Sequence, residues 1–145
     1  MGTVRSKRPS ACPQEGLVIN VSLPFRLDYA VWTLRRRAHN EVDRFDGERY
    51  QRVLNLAGGP TEVTVRQDPA GAPTLVAELR GPTAATDPAA VPALGPVLDR
   101  LLGLSVDLRG FYSIAARDTR LNSLAARFRG MRPPCFPTVD RKSVV

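Results

Sequence analysis

With 145 residues, 43% of them hydrophobic, the chain is long enough for one globular domain, or for one domain and part of another, and too apolar to be disordered throughout. No run approaches the ~18 consecutive apolar residues of a membrane span. The basic N-terminus has no apolar stretch behind it and reads as no secretory signal, so a soluble cytoplasmic protein is expected.

Residues 1–15 are polar, basic and contain Pro9 and Pro13, the composition of a disordered leader. From Gly16, alternation of Leu17, Ile19, Val21 and Leu23 against their neighbours predicts a half-buried strand, stopped by Pro24. Asp28 is expected to cap a helix running to Arg37, with Ala30, Val31 and Leu34 on one stripe and Trp32 just off it. Arg35, Arg36 and Arg37 then suit the negative end of the helix dipole. Asp46-Gly47 between residues 41–45 and 49–56 is a hairpin signal. Gly58, Gly59 and Pro60 predict a second turn, and residues 68–73 a third. The clean alternation of 61–67 and the apolar run of 74–79 complete five strand candidates, an antiparallel meander covered on one face.

Helices follow. Asp87 and Pro88 fit the cap and first-turn positions of a helix ending near Leu102, with Val91, Leu94, Val97, Leu98 and Leu101 at helical spacing. Two shorter helices are predicted over 108–116 and 119–128, the second with Leu121, Leu124, Ala125 and Phe128 inward and Gly130 just beyond its end. Strands first and helices after make the fold class α+β.

The charge and the reactive side chains narrow the function. The net charge is +7 and almost all of it is arginine, because only Lys7 and Lys142 are lysines. From Arg109 onward there are eight basic residues against Asp118 and Asp140, a distribution that attracts polyanions. Cys12 and Cys135 are far apart and His39 has no cysteine near it, so no four-ligand zinc site and no other metal or cofactor is expected. Ser, His and Asp occur, but nothing places them as a triad. Trp32 and Tyr50 read as packing aromatics rather than base-stacking ones, and Asp107 and Asp118 as helix-start residues like Asp28.

Four stretches carry a resemblance. They are residues 23–28 (LPFRLD) with 31–35 (VWTLR), 43–50 (DRFDGERY), 100–107 (RLLGLSVD) with Phe111 and Tyr112, and 127–134 (RFRGMRPP). In order and spacing they resemble DNA-3-methyladenine glycosylase II, the AlkA-like branch of the helix-hairpin-helix DNA glycosylases, over residues 17–137. The resemblance implies a curved antiparallel sheet of about five strands with a covering helix, laid out like one half of the TATA-binding protein. Residues 16–103 would form that domain, and 104–137 the start of an incomplete helical domain. It also implies base-excision repair: an alkylated purine is flipped from the duplex and its N-glycosidic bond hydrolysed, without a metal.

The same resemblance implies a hairpin gripping DNA phosphates and an aspartate in the helical domain. Neither follows Pro137 here. Residues 138–145 do not match, and Asp140 has no hairpin before it. The expectation is therefore an N-terminal portion, inactive alone, that binds DNA weakly and without sequence preference. Arg127, Arg129 and Arg132 are the DNA-contact candidates, since they surround the junction that meets DNA-handling elements in the family. The alternative expectation is a stand-alone nucleic-acid-binding or regulatory module without activity. If a helical remainder is missing, Val97, Leu101, Leu121, Leu124 and Phe128 should leave apolar surface uncovered.

Overall fold

A computed structural model describes residues 17–35, 39–56, 59–81 and 89–133. The elements run β1 (Leu17–Asn20), α1 (Leu27–Leu34), β2 (Arg44–Phe45), β3 (Arg49–Leu56), β4 (Gly59–Arg66), β5 (Thr74–Arg80), α2 (Ala90–Leu102), α3 (Arg109–Ala115) and α4 (Thr119–Arg127). The fold is α+β, with a curved antiparallel sheet of five strands in the order β1-β5-β4-β3-β2. The leader, the Asp87–Pro88 cap, Cys12, Cys135 and Asp140 lie outside the described residues.

The β2–β3 hairpin forms where Asp46-Gly47 predicts it. Gly47 takes φ 105°, and the Asp46 carboxylate accepts the amides of Glu48 (2.9 Å) and Arg49 (2.7 Å). Those two donors hold the Asp46 carboxyl below the usual carboxylate range. Gly59 and Pro60, expected in the second turn, instead pair with Leu56 and Asn55 as part of β4, and Gly58 lies outside the described residues.

The sheet differs from a simple meander in one respect. β1 pairs with β5, Leu17 opposite Ala77 and Asn20 opposite Thr74, so the first strand closes the far edge from β2. Helix α1 makes that crossing. Its stripe of Leu27, Ala30, Val31 and Leu34 is buried on the sheet. Trp32, one position past the stripe, is 65% exposed rather than packed. The helix also ends at Leu34, three residues earlier than predicted, with Arg35 as its C-cap.

Asp28 is not the cap of α1. The N-cap residue is Arg26, and its guanidinium grips the Asp28 carboxylate at 3.0 and 2.5 Å. The first amide of the helix is satisfied from across the fold: Gln67 Oε1 accepts Leu27 N–H at 2.9 Å, and Gln67 Nε2 donates to the carbonyls of Phe25 and Ala72. A buried amide 40 residues away thus does what a local Asp does elsewhere.

Under the sheet, Tyr50, Leu54, Val63, Val65, Leu75 and Ala77 meet α1 and the α2 residues Leu94, Leu98, Leu101 and Leu102 in one core. Leu101 is fully buried and Val97 packs against the same core, so α2 belongs to the sheet layer and leaves no open face there. Only Val91 of its expected stripe stays exposed. Gly103 ends the helix in the left-handed region, at φ 67°.

One charged cluster lies within this core. Asp43, fully buried, accepts Tyr50 O–H at 2.8 Å, Arg52 Nη1 at 2.8 Å and Asn40 Nδ2 at 3.1 Å. Burial and the neighbouring carboxylate push the Tyr50 phenol well above its ordinary range, so it remains a donor. The cluster anchors the α1–β2 connection to β3.

Candidate functional site

Helices α3 and α4 form a short antiparallel hairpin, with an aspartate near the start of each. Asp118 caps α4 as expected, its Oδ1 accepting Leu121 N–H at 2.9 Å, whereas the N-cap of α3 is Leu108 and Asp107, one residue before it, accepts Arg109 N–H at 2.9 Å. Arg109 also holds the Asp107 carboxylate with Nε and Nη2, keeping it below the usual carboxylate range and ionised.

The hairpin closes only at its small residues. Ala115 and Ala125 are buried, whereas Phe111 and Leu124, on the facing apolar stripes, are 44% and 54% exposed. Between the stripes, Met131 and Thr33 of α1 lies a groove of about 490 Å³. Its apolar side chains include Phe111, Leu121, Leu124, Phe128 and Met131, and its one charged lining residue is Arg132. Of the residues expected to leave apolar surface open, Leu121, Leu124 and Phe128 do so.

Two exposed cations lie against aromatic rings of the groove wall. The Arg127 guanidinium lies 5.4 Å from the Phe128 ring centroid, and that of Arg129 lies 5.1 Å from the Tyr112 ring. Both rings belong to the groove wall. Both arginines are exposed, and neither has an ion pair among the described residues. Tyr29 completes that side, edge-on to Phe128 with centroids 6.2 Å apart and its hydroxyl donating to the Arg127 carbonyl.

Arg132, the third DNA-contact candidate expected from the sequence, lines the same groove but is buried in its floor rather than free at the surface. It is 2% exposed. Nη1 donates to the carbonyls of Gly103 (2.7 Å) and Leu104 (2.5 Å), and Nη2 to those of Ser22 and Pro24, with the Phe25 ring 5.4 Å away. Burial lowers its pKa from the ordinary arginine value. The side chain clasps the β1–α1 connection, the end of α2 and the exit of α4 together, and presents no charge to a polyanion. Gly130 serves the same junction. At φ 90° it brings its backbone against Phe25, where a Cβ would sit 3.2 Å from backbone atoms, and its carbonyl accepts Arg26 N–H.

A second, more polar cavity of about 450 Å³ is lined by Ser22, Leu23, Ser105, Val106, Asp107 and Arg109, and its carboxylate is the one already taken by Arg109. Among the described residues no group of His, Cys, Asp and Glu could hold a metal, and no helix is long and apolar enough to cross a membrane. The groove thus offers apolar area, with the exposed guanidiniums of Arg127 and Arg129 against two of its rings.

Comparison with known proteins agrees with this layout. Residues 17–137 match the family described as AlkA N-terminal domain. Among solved structures, a 3-methyladenine DNA-glycosylase from Archaeoglobus fulgidus has a similar fold, with a TM-score of 0.63 and 18% identity over 84% of this chain. The present chain covers 39% of that protein's length. No curated protein matches.

Proposed function

The chain belongs to the AlkA N-terminal domain family, and from that membership we propose that it is the N-terminal part of a base-excision-repair DNA glycosylase. The enzyme would remove alkylated purines by flipping the damaged nucleotide from the duplex and hydrolysing its N-glycosidic bond, which is hidden while the base is stacked. The observation that carries the reading is the match over 17–137, which extends through the sheet layer and the α3–α4 hairpin. On this reading, residues 16–103 are the sheet domain and 104–137 begin the helical domain that the groove faces.

The 145-residue chain alone is inactive on the same reading. Glycosylase catalysis requires a carboxylate beside the developing positive charge of the sugar. The apolar groove has none, and Asp107 in the other cavity is already paired with Arg109. Roughly 8 kcal/mol or more of barrier lowering then has no source. Incubated with methylated DNA, the chain is expected to free no methylpurine above the spontaneous rate at any pH. Release that tracks the purified chain would overturn the proposal of an inactive part.

DNA binding by this chain is expected to be weak, independent of sequence and governed by salt. With about 4–6 phosphates engaged, affinity should fall roughly a hundredfold between 50 and 200 mM salt. Arg127→Ala combined with Arg129→Ala should remove most of it, with thermal unfolding unchanged because both side chains are exposed. Arg132 is left out of this variant on account of its burial. Undiminished binding by the double variant would show that these arginines make no phosphate contact.

A further inference from the structure

Burial alternates along β3, β4 and β5, so Arg49, Gln51, Glu62, Thr64, Arg66 and Glu78 share the sheet face turned away from α1 and α2. On that face Arg49 stands directly opposite Arg66 in the β3–β4 register. Side chains so placed have Cβ atoms about 4.5–5.5 Å apart, and like charges there repel. Neither arginine has an ion pair among the described residues, and the Arg66 Nε is buried without a hydrogen-bond partner. Thr64, the next residue of β4 on the same face, is 5% exposed, and its Oγ1 is also buried without a partner. We propose that these residues form an anion site, in which Arg49 and Arg66 together bind one phosphate group and the Thr64 hydroxyl is a neighbouring donor.

The surrounding carboxylates leave the arginine pair open. Asp46, near Arg49, accepts the amides of Glu48 and Arg49. Glu62 is paired with Arg44 at 3.4 Å. Glu78 stands opposite Thr64 and pairs with neither arginine. Val76, across from Arg66 on β5, gives the aliphatic stem of that arginine an apolar neighbour. An oxyanion between the two guanidiniums replaces their repulsion by charge-assisted hydrogen bonds. Shape selects phosphate among oxyanions: a planar carboxylate matches one guanidinium fork, whereas a tetrahedral phosphate has oxygens for two. The strand ladder from Arg49–Arg66 to Leu56–Gly59 holds both backbones in place, so little order is lost on binding. The site is separate from Arg127 and Arg129 on the α3–α4 hairpin and does not depend on the glycosylase reading. Its phosphate is either the free ion or one of a DNA backbone.

The test compares urea unfolding of the whole 145-residue chain in sodium phosphate, acetate and chloride at equal ionic strength. Phosphate at about 10 mM should raise the midpoint above that in chloride, because it binds only the folded chain, and acetate should raise it less. Phosphorus NMR titration gives the affinity directly. Arg49→Gln, at an exposed position, should weaken phosphate binding at least about fivefold. Arg49→Gln with Arg66→Gln should abolish it, and in chloride this double variant should be no less stable than the parent, since the like-charge contact is gone. The Arg127→Ala, Arg129→Ala variant should keep the full response to phosphate. Duplex DNA separates the two sources. Residual duplex binding by that alanine variant, lost when Arg49→Gln and Arg66→Gln are added, assigns a backbone phosphate to the site. Phosphate binding with duplex binding unchanged by the glutamines assigns the free ion. Equal midpoints in phosphate and chloride would overturn the inference. So would a phosphate effect that survives both glutamines, which is a general salt effect, or one lost in the alanine variant.

Discussion

Arg132→Met is expected to destabilise the fold by about 3 kcal/mol or more, although residue 132 lies in neither a helix nor a strand. The guanidinium supplies hydrogen bonds to four carbonyls drawn from two segments remote in sequence from its own. Each buried acceptor left without a donor costs roughly 1–3 kcal/mol. Relief of the desolvation that the buried cation suffers offsets part of this. Lys in its place keeps the charge but lacks the planar fork that reaches two pairs of carbonyls at once, so Arg132→Lys should recover less than half of the loss. Urea unfolding measures both, with midpoint shifts at unchanged slope. A Met variant within about 0.5 kcal/mol of the parent would mean that water replaces the clasp at no cost.

Asp43→Ala is expected to cost about 3–5 kcal/mol, because it leaves Arg52 charged in an apolar setting and strips the Tyr50 hydroxyl and the Asn40 amide of an acceptor. The double change Asp43→Ala with Arg52→Met removes the uncompensated charge and should restore more than half of that loss. A double variant no better than Asp43→Ala would assign the cost to the lost tyrosine and asparagine bonds instead. The cluster also sets an alkaline limit. The Tyr50 phenol is held above its ordinary value in the folded state, so it contributes stability below about pH 10, where the unfolded chain's tyrosine is still protonated, and loses it as pH rises beyond. Tyr50→Phe should flatten that decline.

Much of the layout was legible in the chain because it rests on local chemistry. Asp46-Gly47 fixes the hairpin through its own side chain and a positive φ, and Asp118 caps α4 three residues on. Alternation along β3 and β4 tells which side chains face the core. It cannot tell which strand is the neighbour, and so β1 beside β5 could not be read: that pairing depends on where α1 carries the chain. The same limit explains α2 and α4. Both show an apolar stripe at helical spacing, but only the fold decides that Leu101 meets the sheet while Leu124 meets solvent.

The misplaced residues failed for a related reason: their partners are remote. Asp28 looks like a cap until Gln67 supplies the acceptor from 40 positions away. Arg132 resembles Arg127 and Arg129 in type and spacing. Its burial arises from carbonyls at residues 22, 24, 103 and 104, and a carbonyl has no sequence signature. Trp32 is a large aromatic next to a buried stripe, yet one step of 100° around α1 turns it outward. The groove was foreseen in part, from the apolar spacing of α4. Arg127 and Arg129 are legible as exposed cations by type, but their stacking on Phe128 and Tyr112 is not.

Helices α3 and α4 are expected to present an apolar face that needs a partner to complete its core, pinned at one end by Arg132. Amide hydrogen exchange on the 145-residue chain tests it. Amides of β3, β4, β5 and α2 should exchange only with global unfolding, whereas those of α3 and α4 should exchange through local opening, at least about tenfold less protected. Equal protection of the hairpin and the strands would contradict the claim, since it would mean that the two helices have a complete core without any partner.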